Sequence, residues 1–334
     1  MTVDKVAILG GGAFGIALSK LVAKNSHQVT VWARNNQVVK SINTLRKHPK
    51  QLRDIMLDNN VNATSCIKEA VSQASYVILA VPMDATAEVL KQAPIDQNAI
   101  IINTAKGIVS DTLELSADIV KKNTCKDLAI RACYLSGPSF ARELAQDLPT
   151  ALTIASFNHE SARKFQIHFS SKNCRLYWSD DVVGVCVGGA MKNVIAIAAG
   201  TCSGLKLGKN ALAALITRGL AEMTRLAIKM GARSDTMSGL AGVGDLLLSC
   251  TDEMSRNFRL GLLLSEAKDL SSALKSIGTV VEGAKTAKAI VPLMQKYGID
   301  MPISYAVHQV LYGGVKPERA IEDLLERALK EERN

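Results

Sequence analysis

Short apolar segments alternate with amphipathic segments along the first half of the chain. Apolar runs rich in β-branched residues predict strands, and helical spacing of apolar positions lies between several of them. Strands that are apolar throughout indicate a sheet covered on both faces, so we predict an α/β domain with a doubly wound, mostly parallel sheet. The predicted strands are 3–9, 28–32, 76–81, 99–103, 129–135, 151–155 and 174–177, and the predicted helices are 13–23, 85–91 and 113–122.

The pattern changes near residue 180. From there onward, helical spacing of apolar residues dominates, with the clearest helices predicted at 211–230, 283–297 and 318–331. Gly231 and Gly298 are placed to end two of them. A chain of 334 residues is long enough for two domains. We therefore predict a domain of residues 1–183 that holds the sheet and an all-helical domain of residues 184–334.

The run 181–200 is almost unbroken in apolar residues, yet it contains Lys192 beside Asn193. A lysine in such surroundings loses hydration, which moves its pKa towards neutrality and suits it to proton exchange with a substrate. A lysine that extends from a core helix to solvent is the alternative. Gly188 and Gly189 favour the first interpretation, because we expect them to leave room for a cofactor or substrate.

The same run is long enough to span a bilayer, but a central lysine costs roughly 3 kcal/mol there. We therefore predict a buried helix and no stable membrane insertion. We expect no leader segment, because an apolar strand pattern begins within the first residues, and the seven cysteines form no C-x-x-C pair. We expect a cytoplasmic protein with reduced thiols. The five histidines show no metal-ligand spacing, so we expect no metal.

Composition and charge narrow the possible partners. Apolar residues make up 48% of the chain and charged residues 21%, which is typical of a globular protein. The formal net charge of +9 fits an anionic ligand. Aromatic residues, at 4%, are too few for a nucleic-acid stacking platform, and no recognition helix is evident. We therefore expect a small-molecule substrate and no nucleic acid.

A glycine fingerprint follows the first predicted strand and opens the first predicted helix. It consists of Gly10, Gly12 and Gly15, and a second strand follows at 28–32. Glycines at this spacing permit a tight turn, close approach of a pyrophosphate and close helix–strand packing. The helix N-terminus then favours the phosphates. The pattern predicts a dinucleotide site.

Cofactor preference is indicated by the end of the second strand. An NAD-selective site usually places Asp or Glu there, whereas this chain has Arg34 nearby. Arg34 favours a 2′-phosphate, so we predict use of NADP(H), alone or together with NAD(H). A surface arginine in solvent is the alternative.

Further polar residues are expected at the same edge of the sheet, since ligands of open α/β sheets bind outside the carboxyl ends of the strands. Lys106 and the segment 136–141 each follow a predicted strand. In the helical half, Asp245 is a lone carboxylate in an apolar, glycine-rich stretch, and Lys192 is its natural partner. A helix N-cap is the alternative for Asp245.

Taken together, the fingerprint and the segments 103–107, 136–141, 188–200 and 239–257 closely resemble the bacterial type of NAD(P)-dependent glycerol-3-phosphate dehydrogenase. The resemblance extends over nearly the whole chain. It implies a Rossmann-like sheet followed by an all-α domain of the 6-phosphogluconate-dehydrogenase-like kind. It also implies reversible reduction of dihydroxyacetone phosphate to sn-glycerol 3-phosphate, which feeds phospholipid synthesis in the cytoplasm.

The fingerprint and this resemblance assign roles to single residues. Lys192 takes the place of the catalytic lysine, with Asp245 and Lys106 beside it, while Arg256 and Asn257 resemble a phosphate clamp. Substrate contacts are implied for Lys106, Gly137, Ser139, Lys192, Asp245, Ser255, Arg256 and Asn257. Cofactor contacts are implied for Gly10, Gly12, Ala13, Phe14, Gly15, Arg34, Lys106, Ala141, Arg256, Val280 and Glu282.

The chain departs from the usual family pattern at two places. Ala13-Phe14 stands where Ser-Trp is usual, which removes one possible hydrogen bond to the pyrophosphate, and Ser249 stands where threonine is common. Two alternatives remain at this point: a dehydrogenase acting on a β-hydroxyacid or 6-phosphogluconate, and a redox sensor that binds NAD(P)H and DNA. We also expect a homodimer from the apolar surface of the helical half, although no segment specifies one.

Overall fold

The structure is a computed structural model, and it describes residues 4–25, 27–266, 269–329 and 331. Eight strands form one sheet in the order β3-β2-β1-β4-β5-β6-β7-β8. The first six strands are parallel to one another, β7 runs antiparallel to β6, and β8 is parallel to β7. The strands are β1 Lys5–Leu9, β2 Gln28–Trp32, β3 Val61–Thr64, β4 Tyr76–Leu79, β5 Ile100–Asn103, β6 Cys133–Ser136, β7 Thr150–Ser156 and β8 Cys174–Ser179.

Helices cover both faces of this sheet. Alternate residues of a strand face opposite sides, so Ile8 lies in the core under α1, whereas Leu9 lies in a core that continues into the helical half. The mostly parallel, doubly wound sheet is therefore confirmed. These helices are α1 Ala13–Lys24, α2 Asn36–Leu45, α3 Ile67–Val71, α4 Met83–Gln92, α5 Ser116–Asn123, α6 Lys126–Arg131, α7 Ala141–Ala145 and α8 His159–Phe169.

The second half is helical, as predicted, with a π-helical turn at Leu240–Gly244. Its helices are α9 Val182–Gly204, α10 Lys209–Lys229, α11 Ser234–Met237, α12 Asp245–Thr251, α13 Arg256–Ser265, α14 Leu270–Ile277, α15 Glu282–Lys288, α16 Ile290–Tyr297, α17 Pro302–Tyr312 and α18 Pro317–Leu325. Helix α9 contains the apolar run around Lys192. Of the most apolar 18-residue stretch of α9, 89% is buried inside the protein, so α9 is a core helix.

Helix α9 begins where Asp181 caps it, accepting a hydrogen bond from the Gly184 backbone N–H at 2.8 Å. Asp181 also accepts hydrogen bonds from the Arg233 backbone N–H and the Thr236 hydroxyl. These bonds tie the start of α9 to α11. The rest of α9 packs against α10, α12, α13 and α15, and its residue Met191 is completely buried. The helix is thus the centre around which the helical half is built.

Several predicted bounds are corrected. The strand predicted at 129–135 is wrong in its first part, because residues up to Arg131 form α6 and the strand begins at Cys133. The single helix predicted at 283–297 is two helices, since Pro292 lacks a backbone N–H and is tolerated only in the first turn of a new helix. Strand β3 was not predicted, because its four residues include the exposed Asn62 and form no apolar run.

The predicted helix 318–331 ends earlier, at Leu325, and residue 330 lies outside the described residues, as does residue 3 of the first predicted strand. Gly298 ends α16 in the left-handed region at φ +61°, as predicted. Gly231, at φ +92°, comes directly after the residue that caps α10.

Candidate active site

The carboxyl ends of β5 and β6 meet the middle of α9 and the start of α12. The loop after β5 carries Lys106, β6 ends at Ser136, α9 carries Lys192, and α12 begins with Asp245. The structure therefore brings the three predicted catalytic residues together, from segments far apart in sequence.

Asp245 lies between the two lysines. Its Oδ1 atom accepts a hydrogen bond from Lys192 Nζ, and its Oδ2 atom accepts one from Lys106 Nζ at 2.6 Å. The Asp245 side chain is 1% exposed, against 10% for Lys192 and 17% for Lys106. The ion pair predicted from the apolar context is thus confirmed as a contact, and it has a second cation. The N-cap alternative is wrong, because Gly244 occupies the N-cap position of α12.

Two hydroxyl groups complete this cluster. Ser249, one turn after Asp245 on α12, accepts a hydrogen bond from Lys192 Nζ at 2.9 Å. Residues four apart lie on the same face of a helix, which is why both reach α9. The Ser136 hydroxyl lies 3.4 Å from Asp245 Oδ2, as a donor. Ser136 belongs to the segment 136–141 that was expected at this edge, although no contact was predicted for it. Ser249 was not among the predicted site residues; its spacing of four from Asp245 was the signal that could have found it.

The glycines of α9 have a different role from the predicted one. A Cβ atom on Gly188 would lie 2.4 Å from the Ala241 carbonyl oxygen, and one on Gly189 would lie 3.2 Å from Lys106 Cγ. The space beside Lys192 is therefore filled by the π-helical turn and by the stem of Lys106. The prediction that these glycines leave room for a ligand is wrong, because the protein itself occupies that room.

Burial and charge set the protonation of the cluster. Burial lowers the pKa of Lys192 to about 8; Asp245 acts to raise that pKa, and Lys106 acts to lower it. For Asp245, burial acts to raise the pKa, but the charges and hydrogen bonds of the two lysines outweigh it, so the pKa is lowered. Asp245 is therefore ionised at neutral pH, and Lys192 can gain or lose its proton near neutrality.

A chain of amide hydrogen bonds runs beside this cluster. The Asn257 side-chain amide donates to Asn193 Oδ1 at 2.8 Å, and its own oxygen accepts from the Gly283 backbone N–H at 3.0 Å. Asn193 in turn donates to the Lys106 carbonyl oxygen at 3.5 Å. Asn257 is thus tied to α9 and to the start of α15, and the resemblance did not indicate this positioning role.

Arg256, Glu282 and their neighbours lie at the starts of two helices. Arg256 begins α13. Burial lowers the pKa of its guanidinium, while the charge of Glu282 acts to raise that pKa. Glu282 begins α15 and accepts a hydrogen bond from the backbone N–H of Met83, the first residue of α4, at 3.2 Å. Val280 is partly buried just before α15. Ser255 caps α13 by accepting a hydrogen bond from the Phe258 N–H.

The segment after β6 faces Lys106. The Gly137 carbonyl oxygen accepts hydrogen bonds from Lys106 Nζ at 3.3 Å and from the Ser139 hydroxyl at 3.0 Å. Gly137 has φ +121°, a conformation that favours glycine. Ala141 begins α7, which packs against α1 of the glycine fingerprint. These residues therefore connect the lysine cluster to the predicted cofactor turn.

The glycine fingerprint has the geometry of a phosphate site. A Cβ atom on Gly15 would lie 1.9 Å from the Gly10 carbonyl oxygen, so only glycine permits this turn. A Cβ atom on Gly12 would meet its nearest described neighbour, Gln51 Oε1, at 4.0 Å, so this face is open. Ala13 and Phe14 begin α1, where the first backbone N–H groups lack helical partners. The turn fits a pyrophosphate.

Two further features border this turn. Gln51 Oε1 is buried and has no hydrogen-bond partner among the described residues, although it lies close to Gly12. A buried polar atom of this kind needs a partner, which fits a bound cofactor. Arg34 is exposed just after β2. Gln51 was not predicted; the basic run around it, residues 46–53, was the available signal.

A cavity of about 670 Å³ lies elsewhere, between α9, α10, α17 and α18, and none of the predicted site residues lines it. Across the described ranges, no group of three or more His, Cys, Asp or Glu residues is placed to hold a metal ion.

A doubly wound sheet with a dinucleotide turn, joined to a helical domain that supplies a buried lysine at the sheet edge, defines a two-domain nicotinamide-dependent dehydrogenase. Family comparison is more specific. Residues 5–162 match the N-terminal part of NAD-dependent glycerol-3-phosphate dehydrogenase, and residues 181–322 match its C-terminal part. The chain belongs to this glycerol-3-phosphate dehydrogenase family.

Individual relatives agree with this result. The chain is 43% identical over 325 residues to glycerol-3-phosphate dehydrogenase [NAD(P)+] of Bacillus subtilis, covering 97% of this chain and 94% of the relative. It is 41% identical over 331 residues to the enzyme of the same name from Clostridium perfringens, covering 98% and 99%. The crystal structure of glycerol-3-phosphate dehydrogenase from Coxiella burnetii superimposes with a TM-score of 0.91, at 35% identity, covering 97% and 99%.

Proposed function

We propose that this protein catalyses the reversible reduction of dihydroxyacetone phosphate to sn-glycerol 3-phosphate with NADPH or NADH. The observation that carries the proposal is the buried Lys192–Asp245–Lys106 cluster at the carboxyl edge of the sheet. Membership of the glycerol-3-phosphate dehydrogenase family supports the choice of substrate. When bound, the nicotinamide cofactor supplies the hydride or accepts it.

Lys192 is the proposed proton donor and acceptor. Reduction places negative charge on the ketone oxygen of the substrate, and an ammonium group beside that oxygen stabilises the charge and delivers the proton. The pKa of Lys192, lowered by burial to about 8, suits transfer in both directions. Asp245 holds the ammonium by one hydrogen bond and Ser249 holds it by a second, which leaves one N–H for the substrate.

Lys106 and Asp245 act together in this proposal. Asp245 compensates the charge of both lysines, so two cations can lie in one buried region. Lys106 also donates a hydrogen bond to the Gly137 carbonyl oxygen. Lys106 therefore lies between the segment after β6 and α12. We propose Gly137, Ser139 and Ser255 as contacts of the substrate. Their hydrogen bonds within the protein do not by themselves identify a ligand.

Arg256 is the proposed phosphate ligand. Its guanidinium offers a planar fork of donors that matches a phosphate, and Asn257 beside it is fixed through Asn193 and Gly283. The phosphate does not react, so its binding energy can orient the carbonyl towards Lys192. The Glu282 carboxylate interacts electrostatically with the Arg256 guanidinium. We propose that Glu282 and Val280 contact the cofactor.

The remaining cofactor contacts are proposed for the glycine turn. Gly10, Gly12 and Gly15, with the N–H groups of Ala13 and Phe14, would hold the pyrophosphate, and Ala141 lies on the helix packed beside them. We propose Arg34 as the ligand of a 2′-phosphate. Residues 1–183 would thus bind the cofactor and residues 184–334 would complete the substrate site.

We also propose that the enzyme works as a cytoplasmic homodimer and supplies glycerol 3-phosphate for phospholipid synthesis. The apolar core helix α9 is buried inside the chain, which supports a protein that is not inserted in a membrane. Light scattering of the purified protein tests the dimer: a mass near twice the 35.8 kDa of one chain supports it, and a mass near 35.8 kDa contradicts it.

The experiment that tests the activity is the initial rate of NADPH and NADH oxidation with dihydroxyacetone phosphate. We compare the wild type with Lys192→Ala and with Lys209→Ala, which removes an exposed lysine at the start of α10. We expect turnover in the wild type and in Lys209→Ala, and its loss in Lys192→Ala. Tight NADPH binding without turnover of this substrate would contradict the proposal.

A further inference from the structure

The segment 46–54, which contains Gln51, lies against the glycine-rich turn. Arg46 ends α2 in the left-handed region, and the Arg46 guanidinium donates to the Val61 carbonyl oxygen at 2.6 Å. At the other end, Asp54 pairs with Arg142 of α7 at 2.7 Å. The segment is therefore held at both ends while it passes the dinucleotide turn.

His48 fixes the middle of this segment. The residue is 6% exposed, and its Nδ1 atom accepts hydrogen bonds from the backbone N–H groups of Lys50, at 3.1 Å, and Gln51, at 2.9 Å. A nitrogen that accepts two N–H groups cannot carry a proton of its own. The imidazole is therefore neutral in this arrangement.

The two bonds of His48 set the position of Gln51. The side-chain oxygen of Gln51 is buried without a partner among the described residues and lies 4.0 Å from the Cβ position of Gly12, on the open face of the turn. The backbone of Gln51 is held by His48, and the Gly11 backbone lies close enough to the His48 ring to act on its pKa. His48 thus lies between the segment and the turn.

We propose that His48 is a positioning residue of the cofactor site: its neutral imidazole holds residues 50 and 51 against the glycine-rich turn, and its protonation releases them and weakens binding of NADPH and NADH. The inference rests on the proposed use of a nicotinamide cofactor and is independent of the substrate. It assigns to His48 a role in binding affinity and none in the chemical step.

The surroundings of His48 determine the direction of the pH dependence. Burial lowers the pKa of His48; a hydrogen bond to the Gly11 backbone acts to raise it, and the charge of Lys50 acts to lower it. The charged group that faces the ring is thus Lys50 of its own segment, while the glycine-rich turn contributes a backbone group without charge. His48 is neutral at neutral pH and gains its proton only below its ordinary pKa. Cofactor binding should therefore weaken as the pH falls.

The test is a titration of NADH and NADPH, followed by nicotinamide fluorescence, between about pH 7.5 and about pH 5.5. NADH is the primary probe, because the 2′-phosphate of NADPH is a phosphate ester that titrates near pH 6. We compare the wild type with His48→Asn and His48→Ala. His159→Asn, a change of an exposed histidine on α8, is the matched control.

We expect the Kd of the wild type and of His159→Asn to rise about twofold or more over this range, and by less than tenfold per pH unit, which is the limit for one titrating group. His48→Asn should keep the neutral-pH Kd within about twofold and lose the pH dependence, because the Asn oxygen accepts backbone N–H groups and does not titrate. His48→Ala should bind weakly at every pH.

Several results would overturn the inference. A flat Kd in the wild type, or the same pH dependence in His48→Asn as in the wild type, would refute the role of His48 and leave the proposed function intact. Absence of NADH and NADPH binding at any pH would refute both. Should His48→Ala fail to fold, the comparison of the wild type with His48→Asn still decides.

Discussion

The Asp245 carboxylate and the Lys192 ammonium form an ion pair inside the protein, although 53 residues separate them in sequence. The pair joins the central helix α9 to α12, and Lys106 connects it to the sheet. Removing either charge would leave the other uncompensated in a buried place. The ion pair is therefore expected to affect both stability and the proton transfer proposed for Lys192.

The first prediction concerns pH. Lys192 must be protonated to donate a proton during reduction and neutral to accept one during oxidation. With its pKa lowered by burial to about 8, the rate of ketone reduction should fall as the pH rises through about 8, and the rate of alcohol oxidation should rise over the same interval. Initial rates in both directions check this. A reduction rate that still climbs above about pH 9 would contradict the role of Lys192.

The second prediction concerns Asp245→Asn. The change removes the group that acts to raise the pKa of Lys192, so the midpoint for reduction should move to lower pH and turnover at neutral pH should fall about 100-fold or more. Breaking a buried pair should also lower the free energy of unfolding by about 3–5 kcal/mol. Denaturant unfolding and pH–rate profiles measure both effects.

The matched control for this change is Glu253→Gln, which neutralises an exposed carboxylate in the loop after α12. It should leave the stability and the pH profile as in the wild type. An Asp245→Asn enzyme with an unshifted pH profile would show that Asp245 does not set the protonation of Lys192.

The fold was largely predictable from sequence because its signals are local. Apolar strands and helical spacing are carried by neighbouring residues, and the change near residue 180 marks the start of α9 at Val182. The errors lie where tertiary contacts decide. The four residues of β3 form a strand because β2 offers its edge, pairing Val29 with Val61, and no apolar run announces this.

The candidate site was predictable where residue type restricts the chemistry. A lone lysine and a lone carboxylate in apolar stretches can be paired without coordinates, and the Lys192–Asp245 contact follows. The packing of Gly188 and the proposed role of His48 could not be found in this way. They depend on what packs against each residue, namely the Ala241 carbonyl oxygen and two backbone N–H groups, and sequence spacing does not encode those contacts.

The third prediction concerns Ser249, which accepts a hydrogen bond from Lys192 Nζ at 2.9 Å. Ser249→Ala removes this acceptor and should lower kcat by about 5- to 10-fold, in line with about 1 kcal/mol for one hydrogen bond. Ser249→Thr keeps the hydroxyl and serves as the control, with kcat close to that of the wild type. Equal kcat values for the Ala and Thr variants would show that this hydroxyl does not position the lysine.

The fourth prediction concerns cofactor choice. Arg34 is exposed just after β2. Its neighbour Ala33 lies beside the fingerprint turn, because a Cβ atom on Gly11 would lie 2.7 Å from the Cβ atom of Ala33. Arg34→Ser should raise the Kd of NADPH about tenfold while changing that of NADH little, because only NADPH has the 2′-phosphate. Lys40→Ser, an exposed change on α2, is the control. Equal losses for both cofactors would refute recognition of the 2′-phosphate by Arg34.

The fifth prediction concerns the contact between α9 and the π-helical turn. In Gly188→Ala, the new Cβ atom would lie 2.4 Å from the Ala241 carbonyl oxygen, so the turn that precedes Asp245 must move away from Lys192. Overpacking of this kind should lower the free energy of unfolding by about 1–3 kcal/mol. The change in kcat should be larger than the change in KM for the substrate, with kcat falling, because the Lys192–Asp245 geometry is disturbed.

Gly244→Ala is the control, since its Cβ atom would lie 3.6 Å from Pro138 Cδ in a helical conformation and should be tolerated. If both variants kept wild-type stability and turnover, close packing at Gly188 would not be what holds the ion pair in place.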